Sequence, residues 1–453
     1  MTYRIEKDFI GEFKVPSDAY YGVHTARALE NFKLTDYHLT HRYLVKAFAK
    51  VKTAAAYANH RTGKISREIC DAIVYASNQI IAGKYIEQFI IPGIQGGAGT
   101  STNMNANEVI ANIALEKLGY EKGRYDILSP IDHVNASQST NDSYPTAIKI
   151  AIYELVNEVE RNLKLLRRAL EDKANEFKDI MKMGRTQLED AVPIALGREF
   201  KVYAMAINRD VRRLHQVKEL FLQVNMGGDA IGTGVSNHPD YRIAVIEELR
   251  KVTATPITAC EDLVDGTQNL DVFPQLSSML KICGLNLRKI ANDLRLMNSG
   301  PTTSIHEIDL PAIQAGSSIM PKKVNPVGAE FIMQIAYKIL GNDLIISECT
   351  VGEFELNAWE PLIADAMFES LTLLRDGLEL FTNTVVKGIT ANKELCEEYF
   401  EHCPTAATEL ISIIGYDNVA QIIAKVNESG ESYKKVAIEM GFVNPGFFDK
   451  PIN

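Results

Sequence analysis

No stretch of this 453-residue chain comes close to the roughly 20 consecutive apolar residues that a membrane-spanning helix needs. The first residues, MTYRIEKDFIGEFK, carry charge throughout and lack the apolar core and small-residue cleavage site of a secretory leader, so a cytoplasmic protein is expected. Basic runs are missing as well. Against 58 Asp and Glu stand 48 Lys and Arg, and the net charge of −10 argues against nucleic acid or an anionic membrane as the main partner. Cysteine is sparse: Cys70, Cys260, Cys283, Cys349, Cys396 and Cys403 are scattered, with no pair at the spacing of a zinc site or a redox motif. Buried thiols are therefore expected rather than disulfides or metal ligands. Neither G-x-x-x-x-G-K-[ST] nor H-E-x-x-H occurs, and neither a cofactor nor a metal is expected. Internal repeats and low-complexity segments are absent too. What remains, with 46% apolar and 23% charged residues, is an ordinary globular composition. The length allows roughly two to four domains.

The middle of the chain is dominated by helical periodicity. From Ile152 the apolar positions run Leu155, Val159, Leu163, Leu166, Leu170, Ala174 and Phe177 in steps of three and four, which predicts a helix of about 30 residues. A second stripe runs from Phe200 through Ile207 and Leu214 to Phe221, and a third from Leu276 through Cys283 and Ile290 to Leu294. Two more apolar helical stretches follow, about Phe331 to Ile346 and Pro361 to Val386. Five long helices in sequence predict a bundle. The third carries apolar residues on more than one side, so burial against other subunits is expected. The first 140 or so residues are mixed in pattern and the last 60 or so read as a small helical appendage. That gives an expected division into residues 1–140, 141–390 and 391–453.

Four segments rich in small hydroxyl and amide residues stand out. They are GGAGTSTNMNANE (Gly96 to Glu108), NASQSTNDSYPT (Asn135 to Thr146), MGRTQLEDA (Met183 to Ala191) and GSSIMPKKVNP (Gly316 to Pro326). In the last, Gly316 permits unusual backbone angles while Pro321 and Pro326 fix theirs, which predicts a loop of defined shape. Taken singly, a Ser/Thr/Asn cluster before a helix is more often a cap, and lysines in a Gly/Pro loop are more often solvated. Taken together, four hydrogen-bonding loops, one with lysine, are what a small dicarboxylate requires: hydroxyls, amides, backbone N–H groups and a cation.

GSSIMPKKVNP resembles the signature loop of the aspartase/fumarase superfamily, G-S-S-x-M-P-x-K-x-N-P, at every specified position. The other three segments match that family's substrate loops in order and spacing. DAYYGVHTARALENF, AIGTG, NDLRLMNSGP and FELNAWEP extend the likeness over nearly the whole chain. The resemblance implies a mainly α, three-domain fold, with a central five-helix bundle that builds a twenty-helix core in a homotetramer and active sites where three subunits meet. It further implies Ser317 as the catalytic base. Thr100, Ser101, Ser139, Thr140, Asn141, Thr186, Gln187, Ser318, Lys323 and Asn325 would bind a small dicarboxylate or amino-acid substrate, with Lys323 and Asn325 on a carboxylate and Thr100, Ser139 and Thr140 on the β-carboxylate as charge builds.

Position 187 helps choose a reaction within the superfamily. Fumarases usually carry a histidine in this segment, whereas Gln187 cannot titrate. Ammonia leaves as an amine already protonated in the bound substrate, so the expected reaction is deamination of L-aspartate to fumarate through an aci-carboxylate. A modified aspartate analogue and the hydratase reaction of class II fumarases are the alternatives. Several residues depart from the family pattern: Thr302 for Arg, Asp229 for Thr, Lys322 for Gly or Ala, Trp359 for a smaller residue and Met333 for Asn. Asp229 and Lys322 read either as a rearranged ion pair or as the mark of a changed substrate.

Overall fold

The computed structural model describes residues 2–449. In chain order a hairpin of β1 (Tyr3–Asp8) and β2 (Gly11–Pro16) leads into α1 (Val23–Asn31), α2 (Arg42–Arg61), α3 (Arg67–Ile81), α4 (Thr100–Lys117) and α5 (Thr140–Glu176). A second hairpin, β3 (Met181–Thr186) and β4 (Glu189–Ala195), precedes α6 (Leu196–Lys218). There follow α7 (Tyr241–Thr253), α8 (Leu263–Gln268), α9 (Val272–Met297), α10 (Val327–Cys349) and α11 (Glu360–Leu380). The expected long helices are present as α5, α6, α9, α10 and α11, of 37, 23, 26, 23 and 21 residues. Among the described residues no helix is long and apolar enough to cross a membrane.

The chain forms two compact units, each discontinuous in sequence. The first comprises residues 1–160, 212–282 and 337–375, and the second 161–211, 283–336 and 376–453. In the first unit α2 packs against α3, α4 and α7. The helix α4 is buried almost all round, from Thr102 to Leu115, which is why its sequence shows no clean amphipathic stripe. In the second unit the β3–β4 hairpin contributes Met183 to a cluster with Leu410, Val419, Ile422, Val426 and Tyr433. The six cysteines are free thiols, five of them buried.

The helix α5 begins twelve residues before its apolar stripe, within the segment that the sequence presents as a loop, and it contains Pro145. Proline has no N–H to give to the carbonyl four residues back, Asn141. That carbonyl instead accepts a hydrogen bond from the Asn225 side chain at 2.9 Å, so the helix tolerates its proline because another segment repairs it. Replacing Asn225 with alanine should therefore cost about 1–3 kcal/mol, the penalty for a buried carbonyl without a partner. Equilibrium urea unfolding checks this, and a midpoint unchanged from wild type would contradict it.

Candidate active site

The predicted site residues fall into two groups, one in each compact unit. In the first unit the backbone runs through three successive left-handed residues, Gly97, Ala98 and Gly99, with φ of +89°, +52° and +86°, and turns directly into α4. Glycine is required at position 99 for a second reason: a Cβ there would lie 2.5 Å from the Tyr144 ring. Thr100 and Ser101 thus occupy the first turn of α4, and Thr140 and Asn141 the first turn of α5. Ser139 Oγ accepts the Asn141 N–H at 3.1 Å and caps that helix. The Asn141 side chain donates to the Ala230 carbonyl at 2.7 Å, so its amide is committed to the fold.

Asp142, fully buried in the first turn of α5, gathers this region. It accepts the backbone N–H groups of Ser139, Gly227 and Asp229, each at 3.1 Å. Burial pushes its carboxyl up to about 7, against the pull of these N–H groups and of Lys52. Lys52 lies at the centre of a second knot, where its ammonium donates to Asn103 Oδ1 (2.7 Å), Gln138 Oε1 (2.9 Å) and Asn135 Oδ1 (3.0 Å). Burial pulls Lys52 down to about 7, with Asp142 opposing. Asp229 itself adopts φ +59° and takes a hydrogen bond from Ser236 Oγ in its own loop.

In the second unit GSSIMPKKVNP is a loop without regular structure, as its glycine and prolines predict. The Gly316 N–H donates to the Lys323 carbonyl at 2.8 Å, and Asn325 Nδ2 donates to the Gly316 carbonyl at 2.7 Å. Asn325 therefore clamps the base of the loop with its amide hydrogens, a role the sequence reading did not give it. Within the loop, Ser317 Oγ accepts two backbone N–H groups, from Met320 at 2.9 Å and from Ile319 at 3.2 Å. The second half of the loop, from Lys322 to Pro326, borders a cleft of about 680 Å³ that Asn298, His306 and Asp309 also line, whereas Ser317 is not among its lining residues. Lys322 is exposed at φ +64° and forms no ion pair among the described residues. His306 Nε2 lies 2.8 Å from Asp309 Oδ1. Neither residue was singled out from sequence, although NDLRLMNSGP, just upstream, was.

Thr186 and Gln187 do not lie in a loop between helices, as the segment's composition had implied. They sit at the tip of the β3–β4 hairpin, where Gln187 and Leu188 take φ of +57° and +69°. A two-residue hairpin loop of this hand usually carries Asn-Gly, so the Gln-Leu pair gave no turn signal. A buried ion cluster supports the hairpin from below: Lys182 lies 2.5 Å and Arg185 2.7 Å from Glu307, and Lys182 lies 3.1 Å from Glu199.

A family profile described as a lyase matches residues 11–341. The chain belongs to this lyase family. Its aspartase branch supplies close relatives. An aspartate ammonia-lyase of a Bacillus species is 46% identical over 451 residues, covering 99% of this chain and 96% of the relative. That of Escherichia coli K12 is 42% identical over 450 residues, covering 98% and 94%. Among solved members, a fumarate lyase:delta crystallin from Brucella melitensis bound to cobalt superposes with a TM-score of 0.94 at 44% identity, over 97% of this chain and 96% of the other. A class II fumarase from Schistosoma mansoni gives 0.93 at 32% identity, over 100% and 98%. Lyases of this family thus share the whole length of the chain with it, both site-bearing units included.

Proposed function

We propose that this lyase is a cytoplasmic, homotetrameric aspartate ammonia-lyase that converts L-aspartate to fumarate and ammonia. The observation that carries the mechanism is the pair of backbone N–H groups on Ser317 Oγ. Serine is a poor base in water, and an alkoxide forms near neutral pH only where fixed donors and positive charge stabilise it. The Ile319 and Met320 N–H groups are such donors, and Lys323 in the same loop supplies charge. In the reaction Ser317 Oγ takes a proton from the carbon beside the β-carboxylate, and the electron pair left behind makes that carboxylate a dianion. The pair then forms the carbon–carbon double bond while the amine departs with its bonding electrons as ammonia. Thr100, Ser139 and Thr140 would hold the β-carboxylate as it becomes dianionic, and Thr186 and Gln187 the other end of the substrate.

Gln187 favours ammonia over water as the leaving group, because it offers no proton to a hydroxide. Short-wavelength absorbance of fumarate on addition of L-aspartate, L-malate or argininosuccinate separates the alternatives. Production from L-malate at a higher kcat/KM than from L-aspartate would replace this reading with a hydratase.

The assembly has its own test. Along α10 the side chains of Tyr337, Leu344 and Ile345 are exposed, and Gly341 lies among them with nothing within 4 Å of where its Cβ would be. In a free helix Gly341→Leu would gain up to about 1 kcal/mol of helix propensity. In the proposed core the glycine lets a neighbouring helix approach, so the same change should split the tetramer into smaller species and lower the activity of sites shared between subunits. Light scattering at micromolar protein checks this, and an unchanged tetramer mass would remove α10 from the interface.

A further inference from the structure

The knot around Lys52 holds a residue type that a protein interior normally rejects. Lys52 is fully buried on α2, and the acceptors around its ammonium are three neutral amide oxygens rather than a carboxylate. Such burial is costly, and it persists only where each proton of the ammonium is spent on a good hydrogen bond. An ammonium has three donors and no acceptor, so Asn103, Asn135 and Gln138 must each turn an oxygen toward it. At Asn103 this has a chemical consequence. With Oδ1 fixed on Lys52, the amide nitrogen is left to give its two hydrogens to Asn135 Oδ1 at 3.1 Å and to Thr140 Oγ1 at 3.0 Å. Thr140 therefore receives a hydrogen bond, and its own hydroxyl proton has no acceptor among the described residues.

We propose that Lys52 is a positioning residue that locks the Asn103 amide so that Thr140 keeps its hydroxyl proton for the substrate carboxylate. This rests on the functional reading above. A cation on α2 orients an amide on α4, and that amide fixes the donor role of a hydroxyl on α5. Without the cation, Asn103 is free to rotate by half a turn, present Oδ1 to Thr140 and consume the proton that the developing dianion needs. The same ammonium also donates to Asn135 and Gln138, both of which precede Ser139 in the chain. Asp142 is the charged group that faces it.

The test is a double-mutant cycle of Lys52→Met with Thr140→Val, read as kcat and KM for L-aspartate. Each single change should lower kcat/KM about 100-fold, mainly through kcat, because the donor acts on charge that appears in the transition state. The double variant should lie within about threefold of the worse single, since Lys52 acts through Thr140. A merely structural role gives independent effects, about 10⁴-fold together, and would overturn the proposal. If Lys52→Met does not fold, Asn103→Asp enters the same cycle. It gives Lys52 an ion pair in place of the hydrogen bond that residue 103 loses to Asn135 Oδ1, circular dichroism checks that it folds, and its second oxygen captures the Thr140 proton. The same 100-fold loss, again non-additive with Thr140→Val, is expected, and retained kcat would overturn the relay. A wild-type enzyme that releases no fumarate from L-aspartate overturns the functional reading instead, and the relay with it.

Discussion

Ser317→Ala should abolish turnover, with kcat down at least about 10³-fold, while a competitive dicarboxylate such as succinate binds as it does to wild type. The reason lies in where the hydroxyl sits. Ser317 Oγ accepts the Ile319 and Met320 N–H groups within a loop clamped at its base by Gly316, Lys323 and Asn325. Those donors are aimed at an oxygen that must carry negative charge, and alanine leaves them with nothing to stabilise. A hydroxyl that served only to shape the turn would behave differently. Its loss would loosen Ile319 and Met320 and weaken binding along with catalysis. Separate measurement of the inhibitor's dissociation constant by calorimetry distinguishes the two. Retention of more than about a tenth of wild-type kcat, a barrier change under roughly 1.4 kcal/mol, would rule out the serine as base.

The sequence made this loop legible because everything that shapes it is local: a glycine, two prolines and a clamp from Asn325 to Gly316, nine residues apart. The long helices were legible for a similar reason, since an apolar stripe is written along a single segment. Illegible features depend on partners far off in the chain. The start of α5 at Thr140 was hidden by Pro145, whose orphaned carbonyl is satisfied by Asn225, 84 residues from Asn141. The β3–β4 hairpin was hidden because Gln187 and Leu188 are held in left-handed angles without the residues that prefer them, and the support beneath them includes Glu307, 122 residues from Arg185. Lys52 gave no signal at all. In AFAKVKTAAAYANH it reads as one more solvated lysine, and the amides that surround it lie 51 to 86 residues away. Residue types thus named the members of the site, but the hydrogen-bond directions that assign their roles came only with the fold.

Gly316→Ala should lower kcat/KM about 100-fold or more while scarcely changing global stability, although it adds a single methyl group. The methyl carbon would lie 2.7 Å from the Lys323 carbonyl oxygen and 2.8 Å from the Asn325 nitrogen, both backbone atoms that cannot swing aside as a side-chain tip could. To admit it, the two strands of the loop base must part, and the Gly316 N–H to Lys323 bond of 2.8 Å must lengthen or break. Ser317 is the next residue, and a displacement near 1 Å in a reacting group costs about two orders of magnitude in rate. Stability is expected to hold because Ser318 through Val324 are exposed and bury little apolar area that unfolding would release. The two effects are read on one preparation, kcat/KM from fumarate absorbance and the melting temperature from circular dichroism. A variant within fivefold of wild-type kcat/KM would show that the clamp does not position the base. A melting temperature lowered by 10 °C or more would show instead that the loop base belongs to the structural core of its unit.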